Sequence, residues 1–132
     1  MKIEEQVLSI EQMKHLQELG VDTSDASMCW VAGEDADEVE WNLIIPNNFL
    51  LPYNIPTYTI GDLIEKLPKQ IGWYELSICW ENECIEYDNW ISEEVTDYIG
   101  DFNFENRPII EALYDCLCWV AENHKELLEV KK

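Results

Sequence analysis

Glu75, Glu86 and Asp88 are the carboxylates most open to a chemical reading. Residues 73–80 alternate, with Tyr74, Leu76, Ile78 and Trp80 on one side and Glu75, Ser77 and Cys79 on the other. After the turn Glu81-Asn82-Glu83 a strand returns over 84–90, setting Ile85 and Tyr87 against Glu86 and Asp88. One apolar and one acidic face is the pattern of an antiparallel sheet with a solvated side. Paired carboxylates hydrolyse substrates when an apolar pocket raises the pKa of one while its partner stays charged. Trp73, Trp80 or Trp90 could wall such a pocket, but nothing in the sequence makes a concavity there. The three acids read first as a solvated face.

Metal chemistry has weaker signals. Cys79 and Cys84 flank the same tight turn, with His124 a remote further donor, yet the pattern of closely spaced Cys pairs is absent. Cys116 and Cys118 point about 200° apart on a helix, and Cys116 lies about 12 Å along the axis from His124, too far for a thiol–imidazole pair. With Cys29 the thiols number five, all in apolar periodic segments, so free buried or half-buried cysteines are expected. Calcium has two loose candidates, Asp35, Asp37 and Glu38, and Asp97, Asp101, Asn103 and Glu105. Neither carries the Asp-x-Asp-x-Asp-Gly loop with a terminal Glu. No catalytic, cofactor or metal residue is assigned.

Charge narrows the function classes further. The net charge is −20, and the acid gathers in two stretches. Residues 21–45 hold seven carboxylates and residues 73–106 hold ten, with no Lys or Arg in either. Such a surface repels phosphate backbones and anionic lipid, and attracts basic proteins or cations. The eight Lys and Arg are scattered, and there is no Gly-rich phosphate loop, so nucleotide and direct nucleic-acid binding lack support. At 47% hydrophobic residues the chain can fold in spite of this charge.

The elements that would position these residues follow from periodicity. Ser9 and Gln12 form a capping box for a helix over 9–19, stopped by Gly20. Strands are expected near 28–33 and 39–45, around the acidic loop Glu34, Asp35, Asp37 and Glu38. The stretch 46–56, with three prolines, reads as an irregular connection. Thr59 caps a short helix over 60–67. Residues 91–106 read as polar and mostly loop, and Pro108 opens a final helix to about 124. The expected fold is one acidic α+β domain over 1–132, with ends near 1–6 and 126–132 fraying. Its order is αββαββα, a four-stranded, mainly antiparallel sheet with helices chiefly on one face. No apolar run approaches the length of a membrane span. The start Met-Lys-Ile-Glu-Glu lacks a secretion signal, so a cytoplasmic location is expected.

Three blocks together resemble a known group. They are Val7 to Gly20 leading into Ala26-Ser27-Met28-Cys29-Trp30, then Ile55-Pro56-Thr57-Tyr58-Thr59-Ile60-Gly61-Asp62-Leu63-Ile64, and last Ile110 to Trp119. The chain resembles small uncharacterised proteins of gut Bacteroides-type bacteria, their phages and mobile elements. That resemblance implies a small cytoplasmic α+β protein and brings no catalytic residues.

The leading expectation is a noncatalytic accessory module that binds a basic protein partner. Glu34, Asp35, Asp37, Glu38, Glu75, Glu86, Asp88 and Trp90 are the candidate contact residues, acid for steering and an aromatic for affinity. Alternatives are a nucleic-acid mimic that inhibits a basic protein, a carboxylate- or divalent-ion-dependent hydrolase, and a homo-oligomeric structural protein. A homodimer is compatible with all of them.

Overall fold

A computed structural model describes residues 6–32, 41–44, 54–90 and 96–128. The chain is α+β, with three helices and a four-stranded antiparallel sheet as expected, but its strands divide between two sheets. Helix α1 (Ile10–Glu18) is followed by β1 (Met28–Ala32), β2 (Trp41–Ile44) and β3 (Asn54–Thr57). These three strands form an antiparallel sheet in the order β2-β1-β3. Helix α2 (Ile60–Lys66) leads to β4 (Gln70–Ile71), β5 (Tyr74–Cys79), β6 (Cys84–Trp90) and β7 (Thr96–Asn103). They build the second sheet in sequence order, every neighbour antiparallel. Helix α3 (Ile109–Asn123) and a 3-10 turn (Lys125–Leu128) close the described chain.

Two strands lie where irregular chain was expected. Strand β3 falls at the end of the proline-rich connection, and it carries Pro56 on an edge, where a missing N–H costs least. Strand β7 replaces the expected loop before α3. Its pattern is hidden because Gly100, on the inner face, has no side chain. The ring of Trp119 occupies that space instead, 3.4 Å from where a Cβ would stand. The supposed calcium residues Asp97, Asp101 and Asn103 are thereby laid out along a strand at about 3.3 Å per residue, which cannot curl around one ion.

The helices start where the sequence says they should. Ser9 Oγ accepts the Gln12 N–H at 3.2 Å, and Gln12 Oε1 accepts the Ser9 N–H at 2.9 Å. Thr59 and Asp62 repeat the device at α2. Pro108 stands at the N-cap of α3, just ahead of its first turn.

One core joins the pieces. Leu113, Cys116, Leu117 and Val120 of α3 meet Ile85 and Tyr87 of β6, and Leu8, Met13, Leu16, Tyr58 and Leu63 complete the cluster. Leu128 is buried there too. The helix α3 packs on the inner face of β6 and β7, leaving the alternate residues of β5, β6 and β7 on the other face. Among the described residues no helix is long and apolar enough to cross a membrane.

Candidate functional site: the outer face of the four-stranded sheet

The loop of residues 80–83 sets the register of the β5–β6 hairpin, and the register sets the site. Glu75 lies opposite Asp88, Ser77 opposite Glu86, and Cys79 opposite Cys84. On the far side of β6, Glu86 lies opposite Asp101 and Cys84 opposite Asn103. An irregularity between Tyr87 and Asp88 then shifts the pairing, bringing Tyr98 beside Asp88. The outer face is therefore a patch of thiols and carboxylates drawn from three strands. Like charges directly opposite each other weaken a sheet. Here the acids Glu75 and Asp88, and Glu86 and Asp101, are such pairs.

The sequence-predicted residues do not share one environment. Glu75 is exposed, Glu86 is half-buried, and Asp88 keeps only 4% of its surface. A uniformly solvated face is thus corrected: on the inner strand β6, Asp88 is flanked by Glu75 on one side and Tyr98 on the other. Burial is the first cause that raises the pKa of Glu86, followed by a hydrogen bond with Asp88 and by the charges of Asp88 and Asp101. Glu86 consequently holds its proton more tightly than an ordinary glutamate. Cys84 is 9% exposed, and burial, then the charges of Glu86 and Asp101, push its thiol pKa up. Glu34, Asp35, Asp37 and Glu38 lie outside the described residues. Trp90 ends β6, and its side chain is not among those described.

Spacing alone set Cys84 beside Cys79 and grouped Asp101 with Asp97, but did not bring Cys84 and Asp101 together. The thiol, Glu86 and Asp101 bring one ligand atom each to within 4.8 Å of one another. Cys84 and Glu86 are two apart on a strand, a signal present in the sequence. Asp101 joins them only through the β7 register, which the polar composition of 91–106 obscured.

Three aromatic residues stand out in the same region. Trp73, in the β4–β5 turn, is 85% exposed, Trp80 in the β5–β6 turn is 66% exposed, and Tyr98 is 56% exposed. Trp80 still meets Phe104 edge to face at 5.7 Å, which limits its orientations. Trp30, in contrast, is half-buried and donates its indole N–H to the Leu8 carbonyl at 3.0 Å. The exposed anchors are therefore Trp73 and Trp80, at the two ends of β5.

A second acidic cluster is structural. Tyr58 donates its hydroxyl to Asp25 Oδ1 at 2.6 Å and lies 2.8 Å from the Asp22 carbonyl. Lys66, its side chain 6% exposed, bonds Asp25 Oδ2 at 2.9 Å and the same Asp22 carbonyl at 3.0 Å. Asp62 accepts from the backbone N–H groups of Thr59 and Ser27, and from the Ser27 hydroxyl. Burial first, then Asp25, keeps the Tyr58 hydroxyl protonated well above the ordinary tyrosine range.

The five cysteines are free thiols. Burial is the main cause that pushes Cys116 up to about 12, and it raises Cys29 and Cys118 as well, so none of these is a ready nucleophile. His124 lies tilted against Trp119, with ring centroids 5.2 Å apart. No protein-family model, curated protein or solved structure matches this chain.

Proposed function

We propose that the protein is a noncatalytic partner-binding module whose outer sheet face receives a basic protein surface. The observation that carries this reading is the cross-strand pairing of carboxylate with carboxylate on a face that has no Lys or Arg anywhere in 73–106. A positively charged partner would relieve that repulsion, and the field would speed its encounter. Trp73 and Trp80 supply the large apolar contacts that charge alone does not, the usual division between anchors and a polar surround. The resemblance to phage and mobile-element proteins adds an accessory role inside a bacterial cytoplasm. Tyr58 and Cys116, also shifted, lie in the structural cluster and the core, while Glu86 and Cys84 are shifted groups of the outer face itself.

The test is a capture experiment from lysate of a Bacteroides-type host, comparing the wild-type chain with two variants. One is Glu86→Gln with Asp101→Asn; the other is Trp73→Ser with Trp80→Ser. The reading expects one basic protein held by the wild type at moderate salt and lost from both variants. Capture unchanged in both variants, or only diffuse binding that salt removes, would contradict it. Displacement of the partner by its own DNA or RNA would identify the nucleic-acid-mimic form of the same reading.

A further inference from the structure

We infer that Cys84, Glu86 and Asp101 form a binding site for a zinc-class divalent cation, with Cys79 as the fourth donor. The residues come from three adjacent strands, and the pairing of those strands brings them together. Cys84 and Glu86 alternate on β6 and so share a face, Asp101 is the β7 partner of Glu86, and Cys79 is the β5 partner of Cys84. Ligand atoms of the first three already lie within 4.8 Å of one another. Zinc bonds of about 2.0–2.3 Å require the donors to draw in by roughly an ångström, within the rotamer reach of Glu86 and Asp101.

This is more than a patch of acid. Cys84 as a residue is 9% exposed, its side chain makes no hydrogen bond among the described residues, and its sulfur lies within 4.8 Å of a carboxylate oxygen of Glu86 and of Asp101. A polar atom so placed, surrounded by negative charge, gains most from a cation that a thiolate can ligate. Beside it on the same face of β6, Asp88 is buried. Two sulfurs and two carboxylate oxygens suit a borderline-soft ion in tetrahedral geometry, and disfavour calcium and magnesium, which prefer all-oxygen shells. On binding, the S–H bonds of Cys84 and Cys79 break, Glu86 gives up any proton it holds, the protons go to the buffer, and the freed sulfur and carboxylate lone pairs form the metal bonds. No electron is transferred.

Cys79 and Cys84 alone lack the donor count of a zinc site, and the two carboxylates that complete it are supplied by strand register. The inference does not depend on the partner reading, since it concerns the purified chain alone.

The experiment titrates the reduced, chelator-treated protein with zinc(II), and separately with cobalt(II) as a spectroscopic probe. One equivalent of zinc should bind, and cobalt should give thiolate-to-metal charge-transfer absorption together with tetrahedral ligand-field bands. Cys84→Ser should cut the charge-transfer absorption, leaving at most the share of Cys79. It should also weaken zinc by more than the roughly 10–100-fold that loss of an outer supporting residue costs. Asp101→Asn should weaken zinc while the charge-transfer absorption persists, and Cys79→Ser should diminish that absorption. Cys118→Ser, a thiol on α3, should change nothing. The inference is overturned if cobalt gives no thiolate absorption with the wild-type chain. It is equally overturned if zinc binds Cys84→Ser as tightly as wild type, or if calcium binds as tightly as zinc.

Discussion

Two acidic clusters of this chain use the same residue types and reach opposite states. Around Asp22, Asp25 and Asp62, the negative charge meets the Lys66 ammonium, the Tyr58 hydroxyl and several backbone N–H groups. Around Glu86, Asp88 and Asp101, the negative charge meets other carboxylates and a buried thiol. The first cluster ties the 22–25 turn to α2 and is architecture. The second lowers the stability of the sheet that carries it. Cation proximity, more than the count of carboxylates, separates acid that holds the fold from acid left to receive a partner.

That contrast can be broken at either cluster. Lys66→Met should have the largest effect, because it removes a nearly buried cation from Asp25 and from the Asp22 carbonyl. Loss of one member of a fully buried pair costs about 3–5 kcal/mol, and the half-exposed Asp25 reduces this to about 2 kcal/mol. Urea unfolding measures it directly.

Tyr58→Phe should come next, at about 1.5 kcal/mol for a lost hydrogen bond to a charged acceptor. This variant also has a pH signature. The folded pKa of Tyr58 is raised above the unfolded value, so its contribution is complete below about pH 10 and is lost as pH rises beyond. The alkaline fall in stability should be shallower in Tyr58→Phe than in wild type. It should not vanish, because burial raises Tyr87 in the same sense.

The other cluster should respond with the opposite sign. Glu86→Gln removes one carboxylate and leaves an amide that can still donate to Asp88, so metal-free protein should gain up to about 1 kcal/mol. Added salt should stabilise the wild type more than this variant. The smallest effect belongs to Trp73→Ser. At 85% exposure the ring supports little of the fold, and stability should stay within about 0.5 kcal/mol while partner capture falls.

Much of the local structure was legible in the sequence, since caps and alternation act over a few residues. Ser9 with Gln12, Thr59 with Asp62, and the alternation over 74–79 all correspond to formed elements. Long-range pairing was not legible. Nothing near Asn54–Thr57 announces that it will line the edge of β1, and Gly100 hides the inner face of β7 until Trp119 arrives from α3. The site suffered from the same limit. Glu75, Glu86 and Asp88 could be placed on one face from alternation, but the burial of Asp88 and the approach of Asp101 depend on β7.

The most direct test is the unfolding free energy of Glu86→Gln with Asp101→Asn, against wild type, in chelator-treated protein at low salt. Removing two of the crowded charges should raise stability by about 1 kcal/mol or more. A fall in stability would contradict the account, because it would make these carboxylates part of the architecture, like Asp25 beside Lys66.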